Sequence, residues 1–242
     1  MKVLALNSSP KMEKGGTALI LGPFLNGMEE AGAEVELIYV HKLKIEPCLG
    51  DFGCWFKTPG RCVQQDDMAW LLSKLEAADL LVFATPVFVD GMTSTMKRLI
   101  ERSLPLVEPF FEIRDGHCRH PRRDGRTDQK VVLVSVCGFT ELDNFEPLIA
   151  HVRAICRNLG VEFAGALLRP YAAALPRLKR LGLPVDEIYE AAGEAGRQLV
   201  RDGKMADRTL AAVGRDLLPR DEYVRAMNDR FRQALEALTR GQ

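Results

Sequence analysis

The sequence predicts an α/β fold with a doubly wound, five-stranded parallel sheet that is covered by helices on both faces. Two observations lead to this prediction. Short apolar runs rich in Val, Leu and Ile recur at wide spacing, and segments with apolar residues three and four positions apart lie between them. Strands that alternate with helices in this way are typical of parallel sheets with helices on both sides.

Five apolar runs are predicted as strands because they are short and nearly continuous in apolar residues, as strands buried on both faces are. The predicted strands are 3–6, 35–40, 80–84, 131–136 and 161–168. The predicted helices between them are 17–31, 67–77, 94–102 and 145–159. Five strands in this arrangement fit the flavodoxin-like sheet, whose ligand lies at the carboxyl ends of the strands.

The remaining segments are predicted as additions to this domain. A cysteine-containing loop follows the second strand, and a polar, arginine-rich stretch occupies residues 112–130. The chain from Pro184 onward has helical patterns only, with breaks at Gly203 and Pro219. We therefore expect one flavodoxin-like domain over residues 1–183. The helical extension, residues 184–242, is expected to pack on the same domain or on a partner subunit.

The composition excludes several classes of partner. The chain has 242 residues, with 33 basic and 33 acidic side chains. This balance argues against nucleic acid or an anionic membrane as the main partner, since both select for a basic excess. No apolar stretch has the length of a membrane span, and the start of the sequence does not fit a signal peptide. A cytoplasmic protein is expected, with its cysteines as free thiols or metal ligands.

Three of the six cysteines lie in one short loop. Cys48, Cys54 and Cys62 are there, and Asp51 stands three residues from each of the first two. Thiolates that converge on one centre are what an iron–sulfur cluster or a zinc site needs. A full set of four ligands would place Asp51 in the remaining position. The residues alone leave three alternatives: a metal site, a redox partner for a flavin, or cysteines that only pack the loop.

The loop after the first strand has the composition of an anion site. It leads directly into a helix, where unpaired backbone amides and the positive end of the helix dipole attract negative charge. It lacks the glycine fingerprints of dinucleotide and nucleoside-triphosphate sites. The alternative is an ordinary strand-to-helix turn. The groups available to an anion are Ser8, Ser9, Lys11, Gly15, Gly16 and Thr17.

Two further strand-end loops combine apolar surface with polar groups. After the third strand, Phe88 and Met92 accompany Thr85, Thr93 and Ser94, a mixture that suits a planar heterocycle. After the fourth strand, Gly138 offers an exposed backbone amide and Phe139 a second aromatic ring. Cys137, just before them, is expected to be a small buried side chain rather than a nucleophile.

Together these motifs resemble the NAD(P)H-dependent FMN oxidoreductase and iron–sulfur flavoprotein group of the flavodoxin superfamily. The matching pieces include L-N-S-S-P-K…G-G-T, A-D-L-L-V-F-A-T-P-V-F-V-D-G-M-T and V-S-V-C-G-F-T-E, and the similarity runs from residue 1 to about 230. The resemblance implies that the first loop binds the FMN phosphate. This sequence departs from the family pattern at Lys11 and Gly16, where the family more often has Arg and Asn.

The same resemblance implies where each part of FMN lies. The phosphate would contact Ser9, Lys11, Gly16 and Thr17. The flavin ring and ribityl chain would lie beside Thr85, Pro86, Val87, Phe88, Asp90 and Gly91. The ring edge would meet Cys137, Gly138 and Phe139. Proteins of this group form homodimers or homotetramers, so a homo-oligomer is expected.

The iron–sulfur members of the group resemble C-x2-C-x2-C-x(4–7)-C. Aligned with that pattern, this sequence offers Cys48, Asp51, Cys54 and Cys62 as metal ligands, with aspartate in place of the second cysteine. Iron in sulfide clusters prefers soft thiolates to carboxylates. The alternatives are no cluster, an Asp-ligated or three-iron cluster, and a zinc or redox-thiol site.

The function expected from these features is that of an FMN-dependent NAD(P)H oxidoreductase, which passes electrons to a small-molecule or protein acceptor. The alternatives are an FMN electron carrier with an iron–sulfur cluster at the cysteine loop and a flavin-free protein that binds another anion. No catalytic side chain is named, because the flavin performs the chemistry. The arginines of residues 117–126 are either part of a solvated loop or a site for the 2′-phosphate of NADPH.

Overall fold

A parallel sheet forms the centre of the protein, which a computed structural model describes over residues 1–240. The strands are β1 (Lys2–Asn7), β2 (Glu34–Tyr39), β3 (Leu80–Pro86), β4 (Glu112–Arg114), β5 (His117–Arg119), β6 (Lys130–Val136) and β7 (Glu162–Arg169). Five of them form one parallel sheet in the order β2-β1-β3-β6-β7. The predicted flavodoxin-like fold is therefore confirmed.

The helices follow the predicted pattern, with ends that shift by one residue. They are α1 (Gly16–Glu30), α2 (Gly53–Phe56), α3 (Met68–Ala77), α4 (Ser94–Glu101), α5 (Glu146–Leu159), α6 (Leu175–Arg180), α7 (Val185–Asp202), α8 (Asp207–Gly214) and α9 (Arg220–Arg240). Short elements outside the predicted pattern include helix α2 in the cysteine loop, helix α6, and the β4–β5 hairpin, which pairs antiparallel within the arginine-rich stretch.

The sheet separates two apolar cores. Along β1, Val3 and Ala5 face the core under α1 and α7, whereas Leu4 and Leu6 face the core under α3, α4 and α5. The same alternation continues along β3, so both central strands are buried on both faces. The expectation that every strand of the sheet is buried on both faces is wrong for β2, of which only Ile38 is buried. β2 is an edge strand with one neighbour, and water reaches its outer side.

The C-terminal extension contributes to the first of these cores. Ile188, Ala192 and Leu199 of α7 are fully or almost fully buried against α1 and the sheet. The two helices approach so closely that a Cβ placed on Gly27 would overlap the carbonyl group of Gly193. The division of the chain into a domain of residues 1–183 and an extension of residues 184–242 stays a prediction.

Among the described residues, none of the helices combines the length and the apolar composition that crossing a lipid bilayer would need.

We expect Gly27→Ala to lower the free energy of unfolding by about 1–3 kcal/mol, the usual cost of overpacking a core. The matched control is Gly22→Ala in the same helix, where a new Cβ has no neighbour within 4 Å. That control should be neutral or raise stability by about 0.5–1 kcal/mol through helix propensity. Urea denaturation measures both, and equal effects would contradict the close approach of α1 and α7.

Candidate functional site

Three loops meet at the carboxyl edge of the sheet because of the register of three adjacent strands. Asn7 of β1 lies opposite Ala84 of β3, and Pro86 of β3 lies opposite Val136 of β6. Backbone hydrogen bonds continue this pairing into the loops: Ser8 N donates to Ala84 O (2.9 Å) and Val87 N donates to Val136 O (2.8 Å). The segments predicted to hold a ligand therefore lie side by side.

The first loop, which leads from β1 into α1, begins with buried side chains. Asn7, Ser8 and Ser9 are buried, and Ser9 N donates to Asn7 Oδ1 at 2.9 Å. Helix α1 begins after Gly15, which has no side chain to cap the first helical amides. Those amides lack partners within the helix, and together with the helix dipole they favour an anion.

Two buried donors in this loop have no hydrogen-bond partner. They are Asn7 Nδ2 and Thr17 Oγ1. A buried polar group left unpaired costs about 1–3 kcal/mol, so its persistence needs a reason. An anion bound at the start of α1 would supply one, because amide and hydroxyl groups both donate to phosphate oxygens. Thr17 was named from the sequence as a phosphate contact, which stays a prediction, and Asn7, whose signal is an amide at the end of a buried strand, was not named.

The glycines of the first loop let neighbouring parts of the chain approach more closely than a side chain would allow. A Cβ on Gly15 would lie 2.5 Å from Ser9 Oγ, and a Cβ on Gly16 would lie 3.3 Å from the Cβ of Ala172. Lys11 is exposed next to this turn, where its ammonium group is free to approach a bound anion. The predicted phosphate residues are thus brought together around one helix start, and their contacts with a phosphate stay a prediction.

A chain of hydroxyl groups joins the first two loops. Thr93 Oγ1 donates to Ser8 Oγ (2.8 Å), and Ser8 Oγ donates to Ala84 O (3.2 Å). Thr95 Oγ1 lies 3.1 Å from Thr93 Oγ1, and His41 Nε2 lies 3.4 Å from Thr95 Oγ1. His41 therefore continues the chain from the end of β2, a contact that a lone histidine in the sequence does not announce.

The second loop is a tight turn with a strained backbone. Phe88 and Gly91 exchange backbone hydrogen bonds of 2.9 and 3.1 Å, and the two residues between them, Val89 and Asp90, have φ angles of 47° and 60°. A β-branched residue rarely adopts positive φ, and strain of this kind clusters at ligand sites. Val89 is almost fully exposed and the Phe88 ring is half exposed, so the turn offers apolar surface at the sheet edge.

The base of the second loop is fixed by Thr85 and Pro86, which end β3. The buried Thr85 hydroxyl accepts a hydrogen bond from Thr93 N (3.1 Å), and its backbone carbonyl accepts one from Ser135 Oγ (2.8 Å). These bonds hold the second loop against both the start of α4 and the neighbouring strand β6. Its predicted ligand contacts stay a prediction.

The third loop exposes Gly138 and Phe139 and buries Cys137. Burial raises the pKa of the Cys137 thiol, and its Sγ lies 3.4 Å from Phe139 O. A protonated, buried thiol is a poor nucleophile, which agrees with its expected packing role. The loop is also held from the extension, because Tyr223 Oη donates to Gly138 O at 2.8 Å. The sequence missed this contact, since 85 residues separate the two partners.

The cysteine loop does not present an assembled metal site. Cys48 is exposed, Cys54 is buried and Cys62 lies between these extremes. Burial raises the pKa of Cys54, and the neighbouring Cys62, Cys48 and Asp51 raise it further. Asp51 Oδ1 accepts a hydrogen bond from Gly53 N (3.2 Å) at the start of α2.

Within residues 1–240, no group of three or more His, Cys, Asp or Glu side chains is arranged to hold a metal ion. Iron in sulfide clusters is held mainly by thiolates, and here Asp51 stands in place of one of the four. The described donor set therefore does not fit an iron–sulfur cluster, and no reaction step is assigned to one.

A buried ion pair fixes both ends of the cysteine loop. Arg102, directly after α4, and Asp66, before α3, form two hydrogen bonds of 2.7 and 3.0 Å, and both side chains are only 1% exposed. Arg102 also donates to Glu46 O (2.7 Å), while Asp66 accepts from the amides of Glu46 and Met68. Burial alone would raise the pKa of Asp66, but these hydrogen bonds outweigh it and lower the pKa below its ordinary value of 3.8.

We expect Asp66→Asn to lower the free energy of unfolding by about 3 kcal/mol at neutral pH, because Arg102 would keep a buried charge without a counterion. A carboxylate with a lowered pKa stabilises the fold above its unfolded-state pKa, and this contribution is lost as the pH falls through the folded-state value. The difference between wild type and variant should therefore be constant above about pH 5 and shrink below pH 3.8. Urea denaturation across this range measures it, and a difference independent of pH would contradict the pairing.

Part of the arginine-rich stretch lies at the edge of the sheet opposite the three strand-end loops. Arg126 donates to the carbonyls of Glu76 and Ala78 and pairs with Asp79 at 3.1 Å, which places it before the start of β3. The seven residues of β3 put this point about 20 Å from the site edge. Arg122 pairs with Asp124 at 2.6 Å. Arg122 and Arg126 therefore have acidic partners at this edge of the sheet, and the binding of a nucleotide 2′-phosphate by the stretch stays a prediction.

Known proteins share both the sequence motifs and the fold. The family model for NADPH-dependent FMN reductase matches residues 1–143. An iron–sulfur flavoprotein of Methanocaldococcus jannaschii is 36% identical over 106 residues, which are 44% of this chain and 53% of the relative. One of Archaeoglobus fulgidus is 36% identical over 105 residues, 43% of this chain and 46% of the relative. The chain thus spans about half the length of these curated relatives.

Solved structures agree on the fold. An FMN-dependent NADH-azoreductase from Bacillus anthracis, in complex with FMN, has a TM-score of 0.61 and 16% identity, covering 83% of this chain and 99% of the other. An NAD(P)H:quinone oxidoreductase from Methanothermobacter marburgensis has a TM-score of 0.55 and 20% identity, covering 82% and 96%. At these identities the likeness shows the fold alone.

The fold, with three loops at its switch point, defines a flavodoxin-like α/β protein. The family match covers more than half of the chain. The chain belongs to the NADPH-dependent FMN reductase family, whose members are oxidoreductases. The resemblance deduced from the motifs is thereby confirmed at the level of the family.

Proposed function

We propose that this protein is an FMN-dependent NAD(P)H oxidoreductase whose cofactor lies across the three loops at the carboxyl edge of the sheet. The observation that carries the proposal is the pair of unpartnered buried donors, Asn7 Nδ2 and Thr17 Oγ1, beside the uncapped start of α1. A dianionic phosphate satisfies such donors and interacts favourably with the helix dipole. Family membership supports FMN as the bearer of that phosphate.

The chain's own groups have distinct tasks in this proposal. The first loop anchors the phosphate through Ser9, Thr17 and the helix amides, with Lys11 adding positive charge. The turn at Phe88 supplies an apolar face for the ring, and the exposed backbone of Gly138 supplies hydrogen bonds at its edge. When bound, FMN accepts hydride from a nicotinamide and delivers electrons onward. The protein orients the ring and limits its contact with water.

No side chain is needed as a general acid or base. Cys137 is the nucleophilic residue type nearest to the proposed ring edge, and burial keeps its thiol protonated. The rate should therefore depend on the orientation of the ring and on the backbone groups around it. For the acceptor we propose a small molecule or a redox protein that approaches the exposed Phe88 and Phe139 rings. A homo-oligomer in the cytoplasm remains part of this proposal.

The test is anaerobic reduction of the purified protein loaded with FMN. Addition of NADPH or NADH should bleach the flavin absorbance within the turnover time of an enzyme. An FMN electron carrier would keep its oxidised spectrum under the same conditions and would be reduced only by a redox partner. Failure to bind FMN at all would overturn the proposal, and iron with acid-labile sulfide in the purified protein would support the cluster-containing alternative.

We expect Thr17→Val to weaken FMN binding by about 10- to 100-fold, the worth of one hydrogen bond to a charged group. The apoprotein should be as stable as the wild type or more so, because the variant removes a buried hydroxyl that has no partner. Flavin-fluorescence titration gives the affinity and thermal denaturation of the apoprotein gives the stability.

Thr209→Val is the control for this experiment. Thr209 is also buried on a helix, but its hydroxyl accepts a hydrogen bond from Gln198 at 3.1 Å and lies outside the three loops. The control should lower stability without changing FMN affinity. If Thr17→Val destabilised the apoprotein and left FMN affinity unchanged, the hydroxyl would have a structural role and not a ligand-binding one.

A further inference from the structure

A cavity of about 250 Å³ lies between α4, the turn that follows it, α5 and the end of the β4–β5 hairpin. None of the residues that line it belongs to the three strand-end loops. Its walls are mostly apolar, and the apolar lining residues are Ile100, Leu104, Val107, Ile155 and Leu159. The cavity is therefore separate from the proposed flavin site.

A smaller cavity of about 30 Å³ continues this space toward the sheet. Both cavities are lined by Ile100 and Leu159, and the smaller one is also lined by Leu81 and Phe83 of β3. At the other end of the space, the exposed Asn158 marks the opening to water. The space thus has an apolar inner end and a polar mouth, the usual form of a small-molecule site.

His120 brings a hydrogen-bond acceptor to the apolar walls. Its Nδ1 lies 2.9 Å from Phe110 O, and because a carbonyl only accepts, Nδ1 carries a proton. In the neutral ring the opposite nitrogen, Nε2, then has a lone pair, and no donor among the described residues bonds to it. Trp55 and Phe111 pack on the ring, with centroids 4.8 and 5.1 Å away. An acceptor held in this way suits a ligand that donates from a hydroxyl group.

His151 and Lys97 determine which charge the cavity tolerates. Within residues 1–240, His151 has no hydrogen-bond partner, and burial together with Lys97 lowers its pKa below 6.5. Its ring is therefore mainly neutral at neutral pH. Lys97 pairs with Glu101 at 2.6 Å but remains part of the cavity wall. An ammonium group at this place disfavours a cationic ligand and is compatible with the partial negative charge of a hydroxyl oxygen.

We propose that this cavity is a second binding site, which takes a small aromatic ligand with a phenolic hydroxyl group. The ring fills the apolar space, and the hydroxyl donates to Nε2 of His120. The volume lies between the about 150 Å³ that holds benzene and the about 300 Å³ at the lower end of drug-sized sites, so one ring or two fused rings fit. The site needs neither FMN nor the three strand-end loops, and it stands independently of the proposed reaction.

The test uses 2-naphthol as the probe and 2-methylnaphthalene, which lacks the hydroxyl group, as its matched control. Each is titrated into the full chain as purified, and the ring-proton NMR signals of the four histidines are followed. We expect 2-naphthol to shift the signals of His120 and His151, which line the cavity, and to leave those of His41 and His117 unchanged.

Two variants locate the probe and identify the group that recognises it. Ile155→Trp fills the cavity and should weaken 2-naphthol binding by about 10-fold or more, whereas Ala154→Trp adds the same side chain at an exposed position of α5 and should have no effect. His120→Phe keeps a ring beside Trp55 and Phe111 but removes Nε2. It should weaken 2-naphthol binding by about 10-fold and leave the affinity for 2-methylnaphthalene unchanged. Thermal denaturation checks that each variant is folded.

Four results would overturn the proposal. Signals of His120 and His151 that do not move with 2-naphthol would exclude binding in the cavity. A shift of His41 alone would place the probe at the carboxyl edge of the sheet. Equal losses in Ile155→Trp and Ala154→Trp would show that the filled cavity is not the cause. Equal effects of His120→Phe on both probes would show that the hydroxyl group is not recognised.

Discussion

The parallel register of β1, β3 and β6 is the constraint on which the rest of the site depends. Because these strands are adjacent and in parallel, the residues that follow them meet at one edge of the sheet. Backbone and hydroxyl hydrogen bonds then join the loops to one another, notably from Ser8 and Thr93. A ligand at this edge meets a preformed surface, so little of its binding energy is used to order the loops.

The fold and the site differ in how far they could be predicted from the sequence. Continuous apolar runs predicted all five sheet strands, because burial on both faces leaves a strong local pattern. The edge strand β2 departed from that pattern, since its exposure depends on strand order. The unpaired amide of Asn7 and the contact of Tyr223 with Gly138 were not predicted for a related reason. Whether a donor has a partner, and which residues 85 positions apart come into contact, depends on the folded arrangement. Motif resemblance, in contrast, identified the three loops because each is local in sequence.

The C-terminal extension contacts the third strand-end loop as well as the core. Arg169, at the end of β7, is buried. It donates to the carbonyls of Val213, in the last turn of α8, and of Arg215, which follows that helix. Its guanidinium also lies 4.6 Å from the centre of the Tyr171 ring. Tyr171 in turn packs on Tyr223, which holds the carbonyl of Gly138. A change in the position of α9 would therefore reach the third loop directly, through the hydrogen bond from Tyr223 to Gly138.

Contacts between protein groups hold the cysteine loop in place. In an iron–sulfur protein the metal centre itself ties such a loop together. Here the buried pair of Arg102 and Asp66 ties residues 46–68 to α4, and Asp51 uses its carboxylate on the backbone of Gly53. Aspartate suits that role, because a short carboxylate readily accepts from an amide two residues ahead. The substitution that removes a thiolate therefore also supplies a local bond that helps the loop hold its shape.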